Sequence, residues 1–436
     1  MERETTNTFL LFINWLIPFL LLALAPGAQS GAVIDSDAAL AALLESGGFG
    51  PVMEDPKGHR VQVLYAPLSR DSNGAVSIKK YRYRVDKKEY FYPASTVKLP
   101  LAALALERLG TLPGADRTAV LLTGAATAEQ SAVSYDAFGD GALPTVARYI
   151  EKIALVSDND AYNRLYEWLG PEAVEARMAA LGHEGVRIRH RLSVSLSPEA
   201  MQRLNPVRLV APGPRQWTWG GRQAQPSPPG PALLLGQGEQ LGGRLIPGPK
   251  AFDEKNAYPL EAQLTFLQSL YLPETVPPTQ RLALPEADRR WFLERFGQLA
   301  PRSGYAAYGA LPEGYVKFLA FGGRAPTLPE DLVIFNKVGD AYGFLTDVAY
   351  FVERSTQTEF LLAATVYVNA NGIFNDDRYE YETLGLPFLE ALGQQLLEDA
   401  RRRPRERLAP GDFERLIPWP PSALCFSRKA VNKNSL

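Results

Sequence analysis

Leu332-Val-Ile-Phe-Asn-Lys-Val338, Phe344-Leu-Thr-Asp-Val-Ala-Tyr-Phe-Val-Glu353 and Glu359-Phe-Leu-Leu-Ala-Ala-Thr-Val-Tyr-Val-Asn369 follow one another closely and are rich in Val, Phe and Tyr. Such residues fit a pleated, buried surface, so the three runs read as β-strands. Two more strand-like runs, Val61–Leu68 and Val76–Val85, lie towards the other end of the chain, joined through the turn signal Asp71-Ser-Asn-Gly74. The intervening chain reads as helical. From Thr96 to Leu109 the apolar residues Val97, Leu99, Leu101, Ala102, Ala105, Leu106 and Leu109 are too dense for a surface helix, and imply one buried on most faces. Further helical patterns run from Pro144 to about Val156, from Asp160 to Leu169 with Gly170 closing it, over Leu260–Leu272 and Glu286–Leu299, and from about Leu384 to Arg402. Strands at both ends with helices between them imply an α+β fold. Its antiparallel sheet would come from both chain ends, flanked by helices, with a mostly helical subdomain.

The segment from Pro212 to Pro249 is different, being punctuated by Pro-Gly-Pro, Pro-Ser-Pro-Pro-Gly-Pro and Gly-Gly. Proline lacks the backbone donor that helices and ladders need, so this segment reads as a long inserted loop. Met1 to Thr8 is polar, Phe9 to Ala25 is apolar, and Pro26, Gly27 and small residues follow, with Ala28 three residues before a cleavage point after Ser30. Residues 1–30 therefore read as an export signal, the alternative being an uncleaved membrane anchor. Either places the body outside the cytoplasmic membrane, periplasmic or secreted in a bacterial envelope. The organisation expected is a signal over 1–30, one domain over 31–410 carrying the insertion near 212–249, and a C-terminal tail over 411–436.

With 46 basic against 48 acidic residues, net charge −2, nothing draws the chain to nucleic acid. The basic run Arg401-Arg-Arg-Pro-Arg405 reads as the solvated end of a helix, where cations suit the dipole. The single cysteine, Cys425, excludes an internal disulfide and a Cys-based metal cluster. His59, His183 and His190 form no helical zinc spacing, so no metal site and no cofactor are expected. No Gly-x-Ser-x-Gly elbow is present, although a Ser-His-Asp arrangement stays open at this level. Asn371-Gly-Ile-Phe-Asn-Asp-Asp377 resembles part of a calcium loop but lacks the terminal glutamate, and reads as a hairpin or connecting loop.

Three short runs carry the chemistry: Ser95-Thr-Val-Lys98, Ser157-Asp-Asn159 and Lys337-Val-Gly339. Ser95 would sit at the N-terminus of the buried helix with Lys98 one turn on, on the same face. A serine hydroxyl becomes nucleophilic when a neighbouring base takes its proton, and a desolvated lysine can be that base. A helix N-terminus also supplies N–H groups for a developing oxyanion. Taken singly, each run has a plain alternative: Ser95 as a helix cap, Ser157-Asp-Asn159 as a capping turn, Lys337 as an edge-strand lysine. Ser77-Ile-Lys-Lys80 repeats the first pattern within a strand-like stretch. Order and context together are informative. Gly339 would let a substrate backbone approach the strand edge.

In these runs the sequence resembles the penicillin-recognising serine hydrolases, and most closely the class A β-lactamases. The resemblance implies the β-lactamase/transpeptidase fold and an acyl-enzyme mechanism without cofactor, opening a β-lactam through Ser95. It implies that Lys98 assists deprotonation, that Ser157 passes the proton to the leaving nitrogen, that Asn159 holds the substrate's side-chain amide, and that Lys337 with Gly339 receives the substrate. The alternatives are a penicillin-binding D-Ala-D-Ala peptidase or an esterase on the same residues, or, in another class, a non-catalytic envelope binding protein or β-lactam sensor. The expected partner is a small-molecule β-lactam or cell-wall peptide, with no nucleic acid, a membrane only through an uncleaved N-terminus, and a monomeric state. Two departures stand out. The hydroxyl residue usual in the third run is Val338, and losing one hydrogen bond to a substrate carboxylate would cost roughly 1.5–3 kcal/mol. The family's deacylating Glu-x-x-Leu-Asn is also absent, the nearest pattern being Glu199-Ala-Met-Gln-Arg-Leu204-Asn205, two residues too long. Glu199 is the candidate base for deacylation, with a first-turn helix glutamate after Ser197-Pro198 as its alternative.

Overall fold

A computed structural model of the chain describes residues 33–46, 48–136 and 143–420. The export signal expected over 1–30 and Cys425 lie outside them. No described helix is long and apolar enough to cross a membrane.

The sheet takes strands from both ends of the chain: β1 (Gln62–Arg70), β2 (Val76–Ile78), β3 (Tyr81–Tyr83), β4 (Leu332–Ala341), β5 (Phe344–Glu353) and β6 (Thr358–Tyr367). Its order is β4-β5-β6-β1, and β2 and β3 also pair with β1. The expected second strand, Val76–Val85, is thus one ladder broken at Lys79-Lys80, since Leu68 opposite Ile78 and Tyr65 opposite Tyr81 keep a single register. Along β6, Phe360, Leu362 and Ala364 pack into one core, whereas Leu361 and Ala363 pack into another. Side chains alternate across a strand, so a strand covered on both faces reads as an unbroken apolar run. This is why the C-terminal strands are so legible.

The helices that matter for the site are α1 (Asp37–Glu45), α2 (Lys98–Gly110), α3 (Val146–Val156), α4 (Asn159–Leu169), α5 (Leu260–Tyr271), α6 (Glu286–Gly297) and α7 (Leu386–Arg402). Leu264 and Leu267 of α5 and Phe292 and Phe296 of α6 join Phe335 and Tyr350 on one face of the sheet. Leu389, Leu392 and Leu396 of α7 and Leu40 of α1 join Phe351 and Phe360 on the other. Helix α2 is buried from Lys98 to Leu106, as its composition demanded. Pro100 falls in its first turn, where the missing donor has no helical partner to lose. Truncating Leu101, which has no exposed surface, to alanine would cost about 2–5 kcal/mol.

Two expectations change. The Pro/Gly-rich segment contains β-structure: Gln216–Trp219 pairs with Val207–Val210, which pairs with Val120–Thr123. Gly238–Leu241 and Arg244–Pro247 form a hairpin whose two turn residues, Gly242 and Gly243, have φ of 57° and 78°. Left-handed backbone at both central positions is what a tight hairpin turn requires. The prolines mostly fall between these strands, so they delimit the ladders rather than abolish them. The second change concerns the tail, whose start folds onto the body. Pro410–Leu416 is helical, and Phe413, Ile417 and Trp419 are buried in the main core. The Arg354 guanidinium lies 4.3 Å from the Trp419 ring centre.

Candidate active site

Ser95 lies in a single 3-10 turn, Ala94–Val97, that runs directly into α2. Ala94 takes a left-handed φ of 45°, a costly conformation for a residue with a side chain. It turns the chain so that Ser95 is half-buried beside a cleft of about 870 Å³ while Thr96, Val97 and Lys98 point into the protein. The Lys98 ammonium, with no exposed surface, sits 2.8 Å from Ser95 Oγ.

Ser157-Asp158-Asn159 is a capping turn and also part of this site. Ser157 ends α3 in the left-handed conformation (φ 55°, ψ 39°), and Asp158 caps α4 by accepting the Ala161 N–H at 2.7 Å. The sharp reversal aims Ser157 and Asn159 back at Lys98. Lys98 Nζ is 3.2 Å from Ser157 Oγ, 2.5 Å from the Ser157 carbonyl and 2.7 Å from Asn159 Oδ1. Four oxygens therefore surround a nitrogen that has three protons when charged. As a neutral amine it has two, plus a lone pair able to accept the Ser95 hydroxyl proton. The Asn159 amide donates to Ser193 Oγ at 3.0 Å, so it is engaged on both sides.

Lys337 closes the group from edge strand β4. Its Nζ donates to Ser157 Oγ at 2.8 Å and to the Val338 carbonyl at 3.0 Å. Among the described residues neither Lys98 nor Lys337 forms an ion pair with a carboxylate. Burial, and then the neighbouring Lys337 charge, hold Lys98 well below the usual lysine range. Burial pushes Lys337 down to about 7, against the opposing pull of Asp340 and Asp347. Gly339 also has a structural role. A Cβ there would lie 2.4 Å from the Pro93 carbonyl and 3.0 Å from the Ser95 amide, so its bareness lets the strand dock on the chain's own Ser95 turn.

Glu199 is not brought to this group. It is exposed in the first turn of the short helix Pro198–Gln202 and does not line the cleft, as the capping alternative anticipated. The segment from Arg191 to Pro206 reaches the cleft through Leu192 and Ser193 instead. It is organised by a different acid, Glu167 of α4. That buried carboxylate pairs with Arg191 at 2.6 Å and accepts the Asn205 N–H at 2.6 Å. His59 and His190 are engaged elsewhere. His190 bonds the Arg191 carbonyl through Nδ1 and accepts the Asn256 N–H at Nε2, and burial lowers it to about 4. Among the described residues no histidine bonds a serine hydroxyl, which removes the Ser-His-Asp alternative. Ser77 is exposed on β2, so the second Ser-x-x-Lys is a surface feature.

Tyr315, Tyr379 and Tyr381 went unrecognised in the sequence, as did the side chains of Asp340 and Tyr342, and all five residues line the cleft. So do Asn375 and Asp377 of the loop first compared with a calcium site. That loop is held by its own side chains, with Asn371 donating to Asp376 at 2.7 Å. It is tied to the Pro/Gly-rich segment by the Gln237 N–H donating to the Gly372 carbonyl at 2.7 Å.

Residues 58–219 match the model of the β-lactamase enzyme family. The segment that carries Ser95, Lys98 and Ser157 is thus similar to that family. This β-lactamase-like segment ends well before Lys337, which the fold supplies from β4. A β-lactamase from Desulfarculus baarsii DSM 2075 is 18% identical, with a TM-score of 0.44 over 83% of this chain and 97% of its own. An ancestral class A β-lactamase is 19% identical, with a TM-score of 0.45 over 84% of this chain and 99% of its own. No curated protein matches the chain.

Proposed function

We propose that the protein is an exported serine hydrolase that cleaves an amide or ester, a β-lactam included, through an acyl-enzyme on Ser95. The observation that carries this is the position of Lys98 Nζ, 2.8 Å from Ser95 Oγ and 3.2 Å from Ser157 Oγ, while Lys337 holds Ser157 from the other side at 2.8 Å. Ser95 Oγ attacks the carbonyl carbon and gives its proton to the Lys98 amine. That proton passes through the Ser157 hydroxyl to the leaving nitrogen or oxygen as the bond to it breaks. Lys337 polarises the Ser157 hydroxyl and supplies positive charge to the transition state. The Ser95 N–H and the backbone between Asp340 and Tyr342 are the proposed oxyanion donors.

The absence of Glu199 from the cleft favours slow release. Deacylation needs a base that presents water to the acyl carbon, and the segment expected to provide one presents Leu192 and Ser193. A long-lived acyl-enzyme is the behaviour of a penicillin-binding peptidase, an esterase or a sensor more than of a resistance enzyme. The test is intact mass over time on the mature protein, incubated separately with a penicillin, a cephalosporin and 4-nitrophenyl acetate, with Ser95→Ala as control. A serine-dependent adduct is expected that outlasts its formation. A rapidly vanishing adduct would replace slow release with efficient β-lactamase turnover, and no adduct from any of the three would refute the acyl-enzyme.

A further inference from the structure

The cleft's charge is unusual for a site that would receive a carboxylate. Asp340 ends the Lys337-Val338-Gly339 run, and its carboxylate faces the cleft beside Ser95. Among the described residues it has no hydrogen-bond or ion-pair partner. Its charge acts on Lys98 and Lys337 and on the phenols of Tyr315 and Tyr381. Asp377 adds negative charge on the same walls. Arg324, the guanidinium among the lining residues, is already opposed by Glu382 at 3.2 Å and Glu390 at 3.9 Å. The two lysines offset this only in part, because burial lowers both. Val338 adds no hydroxyl to hold an anion. Tyr315, Tyr379 and Tyr381 line the same cleft, and aromatic rings are ordinary surroundings of a bound organic cation.

We propose that Asp340 is a specificity-determining residue that makes the cleft prefer acyl substrates carrying an ammonium or guanidinium group near the scissile carbonyl, and disfavour those carrying a carboxylate there. The proposal rests on the acyl-enzyme reading of Ser95 and deepens it. A cation a few ångströms from Asp340 gains Coulomb energy where an anion loses it, and in a solvent-connected cleft this amounts to about 10- to 100-fold discrimination.

The test uses three 4-nitrophenyl esters of similar length: butyrate, 4-(trimethylammonio)butyrate and hemiglutarate. Nitrophenolate release and the mass of the Ser95 adduct are followed in the wild type, Asp340→Asn, Asp340→Glu and Ser95→Ala. The wild type is expected to acylate with the cationic ester about ten-fold or more faster than with the anionic one, with a ratio that shrinks as salt rises. Asp340→Asn should collapse that ratio and Asp340→Glu should keep it. An anionic ester that reacts as fast as the cationic one, or a ratio unmoved by Asp340→Asn, overturns the charge preference while leaving Ser95 acylation intact. Failure of all three esters to label Ser95 overturns the acyl-enzyme reading itself, and the preference with it.

Discussion

Lys317, in the loop that precedes β4, and Lys337, on β4 itself, each keep only 2% of their surface exposed. Lys317 donates to the Phe296 carbonyl (3.3 Å), the Ile334 carbonyl (2.8 Å) and Asn336 Oδ1 (2.6 Å), which is one acceptor for each ammonium proton. The Asn336 amide donates in turn to Asp347 at 2.8 Å, and Asp347 also accepts the N–H groups of Phe318 and Leu319. A cation satisfied in this way holds the loop that forms one cleft wall. Lys337 has a hydroxyl and a carbonyl, and its charge has no hydrogen-bonded carboxylate behind it. Burial lowers both lysines, Lys317 to about 8 and Lys337 to about 7. Equal burial thus accompanies a fixed strut in one place and, on the proposed reading, a charge that polarises Ser157 in the other, and what separates them is the count and type of acceptors.

The sharpest way to break this contrast is at Lys98, which shares the second arrangement. Lys98→Ala should slow Ser95 acylation by about 10²–10⁴-fold, the usual worth of a positioned general base, in single-turnover mass measurements. A loss smaller than ten-fold would mean that the proton leaves by another route. On the strut side, Asp347→Asn would leave the Lys317 charge uncompensated in the interior. Urea unfolding should show a loss of about 3–5 kcal/mol, and an unchanged midpoint would deny that the two lysines differ in kind.

A finer test uses pH. Acylation needs Lys98 as the amine, so the rate should rise as Lys98 loses its proton. It also needs Lys337 as the ammonium, and since that group titrates at about 7 the rate should fall at higher pH. Lys337→Arg keeps the charge far above neutrality, so the falling limb, about ten-fold per pH unit at its steepest, should disappear. A falling limb that survives would assign it elsewhere. The smallest effect is expected at Glu199. Glu199→Gln alters an exposed helix turn and should change adduct lifetime by no more than about two-fold, in keeping with surface substitutions within about 0.5 kcal/mol. A marked lengthening would restore it to the chemistry.

The sheet and the three reactive runs were legible because each has a local signature. Strands β5 and β6 are covered on both faces and so spell unbroken apolar runs, and α2 is buried to the point of having no polar stripe. Other features depend on partners distant in sequence. The strands in the Pro/Gly-rich segment are two to four residues long and are stabilised by neighbours such as Val207–Val210 and Ile373–Phe374. Glu167 gives no hint of burial in its helix, since Arg191 makes that burial tolerable only once the chain is folded. Glu199 imitated a family pattern because a first-turn helix glutamate and a catalytic one can have the same neighbours in sequence. Asp340 adjoins a recognised run, yet its meaning comes from tyrosines contributed by segments on both sides of it in the chain.

The joining of β1 to β6 bears on how the chain acquires its reactivity. Gln62 pairs with Thr365, and Lys337 arrives on a strand held only through β5 and β6. Contacts between such remote residues form slowly, because a long loop must close before any of them is rewarded. During synthesis the Ser95 turn therefore precedes the strand that completes its site, and a partly emerged chain carries the serine without Lys337. If Ser95 is the nucleophile proposed above, its reactivity and the completion of the sheet become one event.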